Sequence, residues 1–397
     1  MQIKNSSHNN NQRSTILAAA FLMSTSAIGP GFLTQTAVFT NTLLASFGFV
    51  ILISILLDIG AQLNIWRVLC ASGMRAQELA NRIIPGAGYF LTMLIVIGGL
   101  AFNTGNLAGA GLGLNVLTGF STEIGAIISA MIAIFIFINK DSLRWIDIFT
   151  KVLGILMIFL TLYVVYSSAP PLKEALHKSF IPDKIDFLAI ITLVGGTVGG
   201  YISFSGAHRL IDAGVTGSAN IKKVSSSAVT AILLASVMRI LLFLGALGVV
   251  SKGISLNESN PAASVFKIAA GNIGYMIFGI IMWSAAITSV VGSAYTSISF
   301  FRSFHSFFEK NEKALLVCFV LIALSIFLAI GKPVNILVLA GALNAFILPV
   351  ALLLILIASA NKKVVGEYSH PIWLKLFGLL VLGGTLFLSI KSVINIY

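Results

Sequence analysis

The residues of this sequence that could do chemistry are few, and most stand inside long apolar runs. Asp58 lies in SILLDIGAQ, with no Lys or Arg within a helical turn. A carboxylate in such a run must pair across helices or take up a proton. One that alternates between those states couples proton flow to other work; a fixed ion pair is the competing reading. Arg239, in SVMRILL, is the best cation to meet it. Asp147 and Lys151, spaced i,i+4, are expected to satisfy each other.

Two apolar runs look broken. STSAIGPGFLTQTAVFT carries Gly29-Pro30-Gly31 at its centre, and LVGGTVGGYISFSGAHR carries Gly195, Gly196, Gly199 and Gly200. Pro30 removes a backbone donor and glycine weakens a helix, so both runs should unwind there. Within a bilayer, unwound backbone persists only where protein buries it or where it lines a cavity. Small residues also serve close helix packing, which would explain one glycine-rich run on its own.

The half-helix after Gly31 offers the N–H groups of Phe32, Leu33 and Thr34, beside the hydroxyls of Thr34 and Thr36. Such a terminus favours an anionic group. Tyr201, Ser203, Ser205, Asn103, Asn106 and Asn344 could add neutral hydrogen bonds, with interhelical packing as each one's alternative role.

Composition says what must position these groups. The 397 residues are 57% hydrophobic and 10% charged, with a mean hydropathy of +1.00. Soluble domains carry roughly a quarter charged residues, so this chain could not clothe a water-facing surface. Twenty-eight Phe and 36 Gly suit membrane helices. At roughly 20 apolar residues per crossing, spans are predicted at 15–42, 46–69, 87–113, 123–139, 143–166, 187–211, 226–250, 270–300, 314–331, 333–359 and 371–393. Residues 1–13 read as a disordered cytoplasmic tail, unlike a cleaved signal peptide. Of the 25 Lys and Arg, an N-inside chain puts sixteen in cytoplasmic segments and seven in external ones, with Lys151 and Arg239 inside spans. That bias fixes the orientation, and an odd span count leaves the C-terminus external.

The broken runs are spans one and six. They correspond if spans 1–5 (14–166) and 6–10 (187–359) are inverted repeats, with span 11 (371–393) outside them. Paired interrupted spans of this kind point to a transporter's binding site at the midplane.

Other functions find little support. The net charge of +12 is spread through short loops, which argues against nucleic acid. Cys70 and Cys318 suggest neither a disulfide framework nor zinc, and no histidine falls mid-span. The sequence has no GxxxxGK[ST] motif for ATP, no paired acids or Ser/His arrangement inside the spans, and no loop long enough for a domain. No enzyme activity and no cofactor are implied.

Several stretches, in order along nearly the whole chain, resemble the NRAMP family of divalent-metal transporters. AIGPGFLTQT resembles that family's first-span segment around Asp-Pro-Gly-Asn. RVLCASGMRAQELANR resembles the loop after span two, GAGLGLNVLTG the end of span three, TSVVGSAYT span eight and ILPVALLLI span ten. The resemblance implies an all-α membrane protein with the LeuT-type 5+5 inverted repeat, broken helices 1 and 6, and about eleven transmembrane helices. It also implies alternating access in the cell membrane, with H+ or Na+ as the coupling ion. LeuT-type carriers place part of a sodium site on span eight, where this chain has Ser284, Thr288, Ser289 and Ser293.

The departures fall on the family's metal ligands. Its first-span Asp and Asn become Gly29 and Phe32, and its Met-Pro-His becomes Gly199-Gly200-Tyr201. Its third-span Asp and Glu become Asn103 and Asn106, and its span-ten Gln falls near Gly341. A dehydrated divalent ion needs charged or strong donors, so no metal-binding residue is expected here. The sequence therefore points to a small carboxylate-bearing organic solute, an amino acid or a 5-oxoproline-like ring. A divalent cation (Mg2+, Mn2+ or Fe2+) held in a rebuilt site is the alternative.

Overall fold

The computed structural model describes residues 19–20, 23–139 and 142–394, with the backbone alone at 142–151 and 393. The expected tail at 1–13 and the Asp147–Lys151 pair lie outside the described residues or side chains. Among the described residues every regular element is helical.

The helices are α1 (23–27), α2 (Pro30–Leu43), α3 (Phe47–Ser72), α4 (Ala76–Ile83), α5 (Ala87–Thr118), α6 (Thr122–Ile138), α7 (Ser142–Ser168) and α8 (Leu172–Lys178). There follow α9 (Phe187–Val198), α10 (Ile202–Asp212), α11 (Ile221–Val250), α12 (Pro261–Ser299), α13 (Ser306–Lys310), α14 (Glu312–Ile330), α15 (Pro333–Ala345), α16 (Ile347–Ala360), α17 (Lys362–Val365) and α18 (Ile372–Ile394).

Each of the eleven stretches expected to span carries helix, as far as it is described. Among the described residues eight helical stretches are long and apolar enough to cross a bilayer; α7 with α8, bent by 107°, makes a ninth. One of the eight, Pro30–Ser72, has 43 residues. Straight, it would run about 65 Å, twice the ~30 Å hydrocarbon core. It is interrupted by a single 3-10 turn at Leu44–Ser46, where Leu44 has φ +51°. Helix α12 is interrupted too: Gly271 has φ +64° and ψ −163°, at the expected start of its span.

Polar side chains fix several starts. The Ser121 hydroxyl accepts from the Ile124 N–H, and the Asp186 carboxylate accepts from the Ala189 N–H at 2.9 Å. Large apolar side chains turned outward, such as Phe135, Phe159, Ile273 and Leu380, form a surface that only lipid would cover. Inside, α5 packs along α12, α6 and α15, while α2 lies among α11, α12, α15 and α9. These contacts bring the two broken spans into the centre of the molecule.

Candidate functional site

The breaks fall where the glycines predicted them. Between α1 and α2, Gly29 is extended (φ −108°, ψ −174°) and caps α2 without a side chain. Pro30 then takes the first helical position, where its missing N–H costs nothing. It packs against Gly109 of α5 so closely that a Cβ there would collide with its ring. Between α9 and α10, Gly199 is extended (φ −78°, ψ 156°). Gly200 is left-handed at φ +54°, and a Cβ on it would strike Asn344 Oδ1.

The donor set differs from expectation in one respect. Leu33 spends its N–H on the Gly29 carbonyl at 3.3 Å, and from Thr34 onward the helical ladder claims the amides. The first-turn donors of α2 are therefore those of Gly31 and Phe32.

Side chains from four elements close around the breaks. Asn103 donates to the Val290 carbonyl at 3.2 Å, while its Oδ1 and the Asn106 Nδ2 have no protein partner. Asn344 donates to the Gly98 and Ala340 carbonyls, both at 2.9 Å, and keeps Oδ1 unpartnered. The buried Thr34 hydroxyl is also unpartnered. Buried polar atoms are normally hydrogen-bonded, so several orphans in one region mark a place built for a ligand or water. Tyr201, fully buried, meets Phe102 edge-on with ring centres 5.5 Å apart.

Other expected residues spend their hydroxyls on nearby backbone carbonyls, of their own helix or across the break. Thr36 donates to the Phe32 carbonyl at 2.7 Å, Ser203 to that of Val198, and Thr288 to that of Ser284 at 3.1 Å. Ser289, rather than Ser284 or Thr288, stands against the first break: its Oγ lies 3.1 Å from where a Gly29 Cβ would be, with Asn106 Oδ1 at 3.6 Å. Below the second break, Gln62 Nε2 (3.3 Å) and Trp66 Nε1 (2.9 Å) of α3 both donate to the Ser203 carbonyl.

Gln35 escaped the sequence reading. Fully buried on α2, it donates to the Leu337 carbonyl at 2.9 Å and leaves Oε1 unpartnered. Gly196 of α9 and Gly341 of α15 leave room for its amide. It thus joins spans one, six and ten.

Asp58 on α3 and Arg239 on α11 do face each other. Both are buried, and with Phe32, Ser54, Thr197 and Ser236 they line a cavity of about 10 Å³, about enough for one water. Asp58 Oδ1 and Arg239 Nε and Nη2 have no partner, and the Arg239 guanidinium lies 4.0 Å above the Phe32 ring. The ion pairs within 4 Å among the described residues are Arg75–Asp212, Lys178–Asp183 and Arg302–Glu312. Asp58 and Arg239 are thus opposed across a gap rather than in contact.

The model of the natural resistance-associated macrophage protein-like (Nramp) family matches residues 20–395. The chain belongs to the Nramp family. It is 59% identical to YcsG, a membrane protein of Bacillus subtilis (strain 168), over 93% of this chain and 91% of that one. Among solved structures, the Eremococcus coleocola manganese transporter superposes with a TM-score of 0.74 at 14% identity, covering 98% of this chain and 87% of its own. MhsT, solved in complex with L-phenylalanine, superposes at 0.67 and 16%, covering 95% and 98%. This Nramp chain therefore has the LeuT-type fold and is a multi-pass membrane transporter, not an enzyme. The breaks of this Nramp chain carry no carboxylate, and no group of three or more His, Cys, Asp or Glu among the described residues could hold a metal ion.

Proposed function

We propose that this Nramp-family transporter moves a small organic solute bearing a carboxylate, an amino acid or a 5-oxoproline-like ring, by symport with H+ or Na+. The observation that carries the reading is the donor set at the two breaks. Its donors are the free amides that open α2, the unpartnered Asn106 Nδ2 and the Thr34 hydroxyl. The unpartnered amide oxygens of Gln35, Asn103 and Asn344 can only accept, and suit the ammonium or ring N–H of such a solute. A carboxylate gains from a helix N-terminus and from neutral donors. A dehydrated Mn2+ or Fe2+ gains little from carbonyl and amide oxygens alone.

The solute would lie between Gly29, Gly31 and Phe32 on one side and Gly199, Gly200 and Tyr201 on the other. The buried Asp58 opposite Arg239 supports proton coupling; the Ser289 hydroxyl at Gly29, with Ser284 and Thr288 along the same helix, supports sodium. We further assign 14–166 and 187–359 as the inverted repeats, with 371–393 as an added span. The bias of basic residues supports a cytoplasmic N-terminus, an external C-terminus and the cell membrane as the location.

Thermal unfolding of purified protein against Mn2+, Mg2+ and a panel of small carboxylates tests the substrate. A ligand at 100 times its Kd adds about 2.7 kcal/mol. Stabilisation by a carboxylate alone is expected, and stabilisation by a divalent ion alone would overturn the reading. Uptake into vesicles driven by a pH step or a sodium step identifies the coupling ion.

A further inference from the structure

A second cavity lies away from the breaks. It measures about 540 Å³ and is lined by Arg67 near the end of α3, Ser218 in the turn before α11, Lys222 and Ser225 in the first turns of α11, and Glu367 and Tyr368 before α18. Two cations and several hydroxyls face one carboxylate. Neither Arg67 nor Lys222 forms an ion pair among the described residues, so Glu367 does not neutralise them in place.

Arg67 is held in position from behind. Its Nε donates to the Tyr368 hydroxyl at 3.0 Å, that hydroxyl meets His370 Nδ1 at 2.9 Å, and His370 Nε2 meets Asn64 Oδ1 at 2.8 Å. Asn64 in turn donates to the Gly60 and Leu374 carbonyls. This chain aims the guanidinium and leaves its terminal nitrogens for a ligand.

The surroundings say what kind of anion fits. Helix α3 packs against α11 on one side and α18 on the other, so it floors a groove between them. Its partly exposed stripe runs Leu52, Leu56 and Ile59 toward Arg67, with the buried Leu63 between, and is apolar until it reaches the cavity. The flanking helices expose apolar side chains as well: Leu233, Leu234 and Val237 on α11, and Ile372, Leu376 and Leu380 on α18. A cationic cup at the mouth of an apolar groove has the chemistry of a phospholipid: phosphate at one end, acyl chain along the rest.

We propose that this cavity binds the phosphate of an anionic phospholipid, held by Arg67 and Lys222, with an acyl chain lying along α3 between α11 and α18. The lipid bridges spans two and seven to the added span 11. The assignment rests on the membrane surface and not on the transported solute, so its failure leaves the solute reading intact.

Native mass spectrometry of the full chain, released from mixed phosphatidylglycerol and phosphatidylcholine, tests it together with thermal unfolding in each lipid. Retention of phosphatidylglycerol over phosphatidylcholine and greater stability in it are expected. Lys222→Glu, at an exposed side chain, should reduce that preference at least tenfold while leaving stability in phosphatidylcholine unchanged. Arg67→Lys, which keeps a cation, should retain most of it. Equal retention of the two lipids, or a preference that survives Lys222→Glu, would overturn the assignment. So would an equal stability gain from inorganic phosphate alone, since the cup would then serve a soluble anion.

Discussion

Removing both members of the Asp58–Arg239 pair should cost less than the two single removals summed. The two charges are buried on facing helices and separated by room for about one water. At a separation on the order of 6 Å and an effective dielectric of about 20, their attraction is about 3 kcal/mol. Asp58→Asn abolishes that attraction and strands the guanidinium, whose remaining neighbour is the Phe32 ring at 4.0 Å, worth roughly 1–2 kcal/mol when desolvated. Breaking a buried pair from one side typically costs about 3–5 kcal/mol. Arg239→Gln strands the carboxylate in the same way. The double variant removes both desolvation penalties and should be less destabilised than the two singles summed, by about 3 kcal/mol. Unfolding free energies from SDS titration of the wild type, both singles and the double give the interaction energy directly. Singles that add to within about 0.5 kcal/mol would refute the reasoning, because the two charges would then be independent. The same Asp58→Asn protein, reconstituted in vesicles, should lose the dependence of uptake on a pH gradient. Uptake that stays equally dependent would remove Asp58 from coupling while leaving the electrostatic argument intact.

Gly200→Ala combines a left-handed backbone with a Cβ aimed at Asn344 Oδ1, so a loss of at least 1–2 kcal/mol is expected; a thermal midpoint like that of wild type would show that the second break is pliable. Gln35→Leu removes one net hydrogen bond, about 1 kcal/mol, yet should reduce uptake more than tenfold, because Gln35 joins the three spans around the site; uptake at wild-type rate would make it a packing residue. His370 lies outside the spans, and burial pushes its imidazole from 6.5 down to about 4, with Arg67 and Lys375 pushing the same way. Between those values the unfolded chain binds a proton that the folded one refuses, so this stabilisation is complete above pH 6.5 and is lost as pH falls toward 4. Unfolding curves across that range should be flatter for His370→Gln than for wild type, and parallel curves would refute the assignment.

What the sequence reveals is whatever its local chemistry dictates. A Gly-Pro-Gly cluster and four crowded glycines break helices wherever they stand, and a lone carboxylate in an apolar run must find a cation. The breaks appear in the structure at the positions expected, and the carboxylate faces a cation across a gap without touching it. Gln35 stayed hidden because its importance depends on Gly196 and Gly341, small residues more than 150 positions away that leave space for its amide. The hydroxyls misled for the opposite reason. Thr36, Ser203 and Thr288 look like ligands in the sequence, yet each has a carbonyl of its own helix or break in reach, which serine and threonine readily use. Nor does spacing alone tell which hydroxyl of α12 meets Gly29, since that follows from the rotation of α12 against α5 and α2.

The neutral site has an electrical consequence. Its polar groups carry no net charge, and Asp58 and Arg239 cancel each other, so the empty carrier returns across the bilayer without moving charge. Membrane voltage should then leave that step untouched, and the cargo alone decides whether transport generates current. A monoanion carried with one cation crosses silently, whereas each additional cation adds one charge, worth about 2.3 kcal/mol per 100 mV. A current recording on planar membranes thereby counts the coupling ions before their identity is known.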